Sequence, residues 1–182
     1  MNKILRILCL IFVILVATNH KIILKNIFKL KYQHQVYTYS KNYDIDPLLV
    51  FAIIKVESNF DKNAVSNKGA VGLMQIKPTT AEYISDLLKD KCFDKSKLFD
   101  PDTNIKYGCF YLKKMIEMYN GNLDFALMAY NAGCGNVNRW LENNKGNLEI
   151  DKIPFNETKW YVKKVRKYYK LYKYIYTDID KW

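Results

Sequence analysis

The segment DIDPLLVFAIIKVESNF, Asp44 to Phe60, constrains this chain more than any other. Asp46 is suited to cap a helix, and Pro47 fits the first helical position, where its missing N–H costs nothing. The spacing predicts a helix from Pro47 to about Ser58. At about 100° per residue, Leu49, Val50, Ile53, Ile54 and Val56 fill one arc, with Lys55, Ser58 and Asn59 opposite. Glu57 falls inside the apolar arc, flanked by Val50 and Ile53. A solvated carboxylate belongs on the other side. An ionised carboxylate is costly to bury, so an apolar setting raises its pKa and keeps it protonated, the state a general acid needs.

The rest of the chain narrows the chemistry. Its 182 residues, 49% hydrophobic, fit one domain plus a tail. Histidine occurs twice, as His20 and His34, both near the N-terminus, which argues against a metal centre and against Ser-His-Asp or Cys-His nucleophiles; no cofactor is expected. Apart from Cys9, the cysteines are Cys92, Cys109 and Cys134, an odd set at spacings unlike a zinc site, so at least one is free within a single chain. Catalysis, if present, rests on carboxylates.

The first 31 residues carry six basic groups (Lys3, Arg6, Lys21, Lys25, Lys29, Lys31) and no acid, about half of the net charge of +11. Their basic start and apolar run, Ile7 to Ala17, fit an export signal better than a full bilayer span. VAT, residues 16–18, is a poor cleavage site, and KIILKNIFKLKY continues an apolar and basic pattern suited to a membrane surface, which favours an uncleaved anchor over a cleaved signal. The expected organisation is therefore a signal peptide or anchor over 1–31 and a folded domain over 32–182, exported, held at the outer side of the membrane and monomeric.

Along the domain, YQHQVYTYSKNYD reads as a short helix, and NFDKNAVSNKGAVGLMQ as a loop in which Gly69 and Gly72 permit positive φ or close backbone approach. A helix restarts behind Pro78, and CFDKSKLFDPDTN is a connector. IKYGCFYLKKMIEMY is amphipathic, with Tyr107, Tyr111 and Met115 at four-residue steps, and GNLDFALMAYNAG is a helix closed by Gly133. A loop through Gly146 and Pro154 leads to a last helix that mixes Lys159, Lys163, Lys164, Arg166, Lys167, Lys170 and Lys173 with five tyrosines. That mixture reads as a solvated basic face over a tyrosine stripe on the core, with some attraction to anionic wall polymers; an exported chain is not expected to meet nucleic acid. No alternating strand pattern appears, so the fold is mostly α.

Three ordered motifs then identify a resemblance. VESNFDKNAVSNKGAVGLMQIKPTTA, ALMAYNAGCGNV and IPFNETKWYVKKV together resemble the signatures of the lytic transglycosylase domain of the soluble, lysozyme-like type, over about Tyr39 to Tyr176. The resemblance implies a lysozyme-like single catalytic domain that cleaves the β-1,4 bond between N-acetylmuramic acid and N-acetylglucosamine in peptidoglycan glycan strands. It implies that Glu57 first protonates the glycosidic oxygen and then acts as base on the muramoyl C6 hydroxyl, which closes a 1,6-anhydro ring; no second catalytic carboxylate is required, unlike most glycosidases. It further implies substrate-binding roles for Ser66, Gln75, Tyr130, Asn131, Glu157 and Tyr161. Two positions depart from the pattern: Lys77 stands where methionine is common, and Cys134 where proline is common, which bears on subsite preference rather than on the acid. The alternatives are a goose-type muramidase that hydrolyses the same bond, and a non-catalytic, membrane-tethered glycan-binding module.

Overall fold

The computed structural model describes residues 3–177, and its first helix, α1 (Lys3–Ile27), is one unbroken rod. The sequence placed the apolar run at Ile7 to Ala17, with KIILKNIFKLKY continuing an apolar and basic pattern; one helix takes in the run and that pattern as far as Ile27, because nothing from Lys3 to Ile27 is a glycine or proline. It is long and apolar enough to cross a membrane, with a mean hydropathy of 2.3 over an 18-residue window that is not buried at all. A signal sequence meets the same description.

Seven helices follow among the described residues: α2 (Gln33–Asn42), α3 (Pro47–Glu57), α4 (Pro78–Leu88), α5 (Pro101–Met118), α6 (Leu123–Ala132), α7 (Cys134–Asn143) and α8 (Asn156–Ile175). Short 3₁₀ turns at Lys95–Phe99 and Ile150–Lys152 interrupt the connectors. The mostly helical fold expected from the sequence is what forms. Start signals behave as their chemistry requires: Asp46 accepts from the Leu48 amide, Asp100 from Thr103, and Asn122 from Asp124 and Phe125, each satisfying donors that the first helical turn leaves open.

α3 lies at the centre, against α8 on one side and α2 on another. Its burial is wider than an amphipathic arc: every residue from Leu48 to Ile54 is buried, including Phe51 and Ala52, which the helical wheel left outside the apolar face. A helix enclosed by neighbours has no solvent side to keep polar. Polarity returns only at its end, where Lys55, Val56, Glu57 and Ser58 are half-buried. Around this axis α5 packs on α6, and α6 on both α7 and α8.

Cys134 to Asn143, read from the sequence as part of a loop, is a helix, α7. Gly133 explains both the ending and the restart: at φ 85° and ψ 142° it closes α6 and opens α7 in a single residue, so the break that glycine signals is a corner between two helices. α7 buries Val137 and Trp140 only. On α8 the expected stripe forms, with Tyr161 and Tyr172 buried and Tyr168 and Tyr169 half-buried, while the lysines face water. Tyr174 departs from the stripe and is 48% exposed toward α1. All four cysteines are free, Cys109 in the core and Cys92 at the surface.

Candidate active site

Glu57 is the last residue of α3, and the chain turns away from it sharply: Asn59 and Phe60 both have left-handed φ, 52° and 65°. Two consecutive non-glycine residues there carry a conformational cost. What offsets it is packing and hydrogen bonding. Phe60 is buried against Phe51, and the Ser58 hydroxyl, which the sequence placed on the solvent side, donates to the Leu73 carbonyl at 2.9 Å.

The loop that follows is bound into a small knot. Val71 exchanges both backbone hydrogen bonds with Ile76, and the Ser66 amide donates to the Ala70 carbonyl. Asn104, buried on α5, pins the knot from outside: its Nδ2 donates to the carbonyls of Val71 and Leu98, and its Oδ1 accepts from the Met74 amide, at 2.8–2.9 Å. Gly72 has to be glycine here, since its φ is 79° and a Cβ would lie 2.2 Å from Asn104 Nδ2 and 2.4 Å from the Leu98 oxygen. Gly108 of α5 likewise makes room for Met74, whose Sδ would stand 2.3 Å from any added Cβ.

This knot, α3, α6 and the start of α8 enclose a cleft of about 590 Å³. Glu57, Ser66, Gln75, Tyr130, Asn131 and Glu157 all line it, together with Lys77. Tyr161 lies behind that wall, buried against the Glu57 carboxyl. The structure thus gathers all seven sequence-derived positions, although 104 residues separate Glu57 from Tyr161.

Burial pushes the Glu57 pKa up to about 8, and the neighbouring Glu157 carboxylate adds to the rise. Its place at a helix C-terminus acts in the same sense, because the partial negative charge there opposes a second negative charge. The Tyr161 hydroxyl pulls the value back. That hydroxyl is sealed from solvent and makes no hydrogen bond of ordinary geometry among the described residues, so it acts on the carboxyl as a neighbouring dipole. Burial raises the pKa values of Tyr130 and Tyr161 far above the ordinary phenol range, and the Glu57 carboxylate adds to both, so both stay protonated.

The hydrogen-bonding capacity left for a ligand is narrower than the sequence suggested. The Tyr130 hydroxyl donates its proton to the Met74 carbonyl at 2.9 Å, leaving only its lone pairs to face Glu57. Gln75, at φ 50°, spends its amide nitrogen on the carbonyls of Ala64 and Gly72, so only its side-chain oxygen is open. Ser66 Oγ accepts from the Ala70 amide and keeps its proton to give. Asn131 Oδ1 accepts from the buried Thr158 hydroxyl at 2.8 Å, which leaves its nitrogen as donor. Glu157 pairs with Lys68 at 2.5 Å at the mouth of the cleft, both side chains 65% exposed. Sequence reasoning missed Lys68, Thr158, Phe155, Thr80 and the lining role of Tyr111, whose ring sits 5.5 Å from that of Tyr130. It also missed Asn104; the available signal was an amide sharing one face of α5 with Tyr107, Gly108 and Tyr111.

Comparison with known proteins identifies the family of the fold. Residues 35–153 match the transglycosylase SLT domain. The chain is 35% identical over 156 residues to the soluble lytic murein transglycosylase of Escherichia coli K12, covering 83% of this chain and 24% of that protein. It is 36% identical over 152 residues to the soluble lytic murein transglycosylase of Salmonella typhimurium, covering 81% and 24%. The 70 kDa soluble lytic transglycosylase of Escherichia coli, solved alone and in complex with bulgecin A, matches with a TM-score of 0.79 at 35% identity, over 84% of this chain and 26% of that one. An inactive mutant of the lytic transglycosylase Slt from Pseudomonas aeruginosa gives a TM-score of 0.77 at 34% identity, over 85% and 26%. This chain spans about a quarter of the length of these relatives. The match to the family model ends at residue 153, before Glu157 and Tyr161. A domain match over most of the folded residues, agreeing with relatives in sequence and with solved structures in fold, makes this chain a member of the transglycosylase SLT domain family.

Proposed function

We propose that residues 32–182 are a peptidoglycan lytic transglycosylase domain that cleaves the β-1,4 bond after N-acetylmuramic acid and leaves a 1,6-anhydromuramoyl end. The observation that carries this reading is Glu57, a carboxyl whose pKa burial pushes up to about 8 on the wall of an open cleft. At neutral pH it is an acid with a proton to deliver. Glu157 is the other carboxylate lining the cleft among the described residues, and its pairing with Lys68 at the exposed rim leaves it poorly placed to activate a water from the opposite face of a sugar. A single acid that gives a proton and takes one back suits intramolecular attack by the muramoyl C6 hydroxyl.

The remaining polar groups divide the sugar between them. Ser66 offers a donor, Gln75 an acceptor, Asn131 a donor, and Tyr130 lone pairs beside the acid. Tyr161 holds a hydroxyl against Glu57 from behind, and Glu157 with Lys68 borders the glycan path. α1 supports export and retention at the membrane as an uncleaved anchor, with the domain on the outer side.

Digestion of purified peptidoglycan by the full chain, followed by weighing of the released disaccharide-peptides, tests the reading. Products lighter by one water than hydrolysed fragments are expected, and Glu57→Gln should release none. Fragments of full hydrolytic mass would assign the domain to muramidase chemistry. Binding of glycan without either product would make it a binding module.

A further inference from the structure

α8 links the cleft to the N-terminal helix. Its first turns carry Glu157 and Thr158 to the cleft wall and Tyr161 to the acid. Its last turns are gripped by α1. His20 Nε2 shares a 2.6 Å hydrogen bond with the Tyr174 hydroxyl, and their rings stack at 5.9 Å. Lys21 reaches Thr177 Oγ1 at 3.3 Å and lies over the Tyr174 ring. Lys25 lies over the Tyr176 ring, the Tyr176 hydroxyl donates to the Phe28 carbonyl at 2.9 Å, and the Phe28 ring meets Tyr168.

The order of these contacts fixes a direction. His20 and Lys21 meet Tyr174 and Thr177, Lys25 meets Tyr176, and Phe28 reaches both Tyr176 and Tyr168, so the segment from 20 to 28 enters at the C-terminal end of α8 and reaches back along it toward the cleft. The part of α1 before His20 therefore continues past the C-terminal end of α8, away from the cleft. That part holds the apolar side chains from Ile4 to Val16, exposed by 40–70%. A helix of 25 residues is about 37 Å long, enough to enter a hydrocarbon core of about 30 Å. Where it meets the domain lysines predominate: Lys21, Lys25, Lys29 and Lys31 precede the first acid of the chain, Asp44, and Lys170 projects from α8 one turn before Tyr174, while Lys173 is paired with Asp46 at 3.7 Å and Asp178 and Asp180 follow Thr177 in the sequence. Lysine and tyrosine at the end of an apolar helix are the pair that settles at a headgroup layer.

Resting on the membrane-anchor reading above, we propose that the end of α1 and the last turns of α8 form one rigid collar seated on anionic lipid headgroups, so that α8 holds the cleft at a fixed height above the bilayer. Seventeen residues separate Glu157 from Tyr174, and at 1.5 Å each the height is about 25 Å. The substrate class follows from the height: glycan strands in the layer next to the membrane are within reach, and strands farther out are not.

The test uses the full chain reconstituted into phosphatidylglycerol-containing vesicles. A fluorescent donor is attached through Trp160→Cys, a position 66% exposed on α8 and outside the cleft, with Cys9, Cys92 and Cys134 changed to Ser and the fully buried Cys109 left in place. Acceptors are carried on lipid headgroups. The expected result is one narrow distance of about 20 Å between donor and headgroup plane, the length of α8 from residue 160 to 174. The same chain with His20→Ala, Tyr174→Ala and Tyr176→Phe should give a broad distribution, while its cleavage of glycan in detergent shows that the domain is still folded. A donor at headgroup level, or equal transfer in both chains, overturns the fixed height. Flotation with the vesicles reports anchoring separately: a chain that floats but shows no fixed height refutes only this proposal, and a chain that does not float refutes the anchor with it.

Discussion

Removing the charge-bearing group at Glu57 should stabilise the protein while abolishing activity, and the gain should depend on pH in a calculable way. In the folded chain the carboxyl titrates at about 8, against 4.5 for an unhindered glutamate. Between these values the folded state holds a proton that the unfolded chain has lost, so stability falls as pH rises across the window, by about 1.4 kcal/mol per pH unit. The contribution is intact below pH 4.5 and fully lost above about pH 8, a total of about 5 kcal/mol. Glu57→Gln keeps the volume and does not titrate. Between pH 5 and pH 7.5 the stability of the variant should therefore climb relative to wild type by about 3 kcal/mol. Any fixed penalty from placing an amide in the site cancels in that comparison, as do the titrations of every other group. Urea unfolding of both chains in mild detergent, followed by tryptophan fluorescence at the two pH values, measures it. A difference that stays constant within about 1 kcal/mol would mean that burial does not hold the Glu57 proton, and the argument from its pKa would fail.

Two substitutions should move the alkaline limb of the pH–rate profile in opposite directions. Tyr161→Phe removes a hydroxyl that favours the ionised acid, so the limb rises; Glu157→Gln removes a like charge, so the limb falls. Shifts of the same sign in both variants would contradict the assignment. Asn104→Ala leaves the Met74 amide and two buried carbonyls without their partner and should cost about 3 kcal/mol in urea unfolding, with turnover falling as the loop loosens. Gly72→Ala should lower the melting temperature as well, from the added Cβ against Asn104 and the unfavourable φ together, and an unchanged melting temperature would show that the knot tolerates displacement.

The elements whose cause is local were legible from sequence. Asp46, Pro47, Pro78 and Gly133 act on neighbours one to four residues away, so their chemistry set two helix starts and one helix end correctly, whereas Pro101 to Asn104, read as connector, is the first turn of α5, with Asp100 as its cap. The burial of Phe51 and Ala52 was not legible, because it depends on α2 and α8 closing around α3, and a helical wheel contains no information about how many neighbours a helix has. α7 escaped for a related reason: its core contribution is two residues, too few to give a periodic pattern across ten. At the site, residue identity was legible and hydrogen-bond allocation was not. Nothing in AYNAG says that Tyr130 gives its proton to Met74, and nothing in GLMQ says that Gln75 turns left-handed and spends its amide on its own loop. Both facts arise from the knot, whose fastening residue, Asn104, comes from a different helix.

The burial that makes Glu57 an acid also decides what it does next. In the proposed reaction, once its proton has gone to the glycosidic oxygen, a carboxylate is left in a site that opposes ionisation by about 5 kcal/mol. The Tyr161 hydroxyl eases that charge in part, and Tyr130, its proton held by Met74, offers only lone pairs and eases it not at all. The ionised residue is thus a stronger base than an ordinary carboxylate, with its conjugate acid near the working pH, the condition for efficient proton abstraction. A water can give up that proton, and so can a hydroxyl already carried by the substrate, which enters held and oriented and loses no translational freedom in the step. In the proposed reaction the C6 hydroxyl of the same sugar has that advantage. The apolar wall of α3 therefore serves both half-reactions through one number, and the measured limb for the first half should report the base of the second.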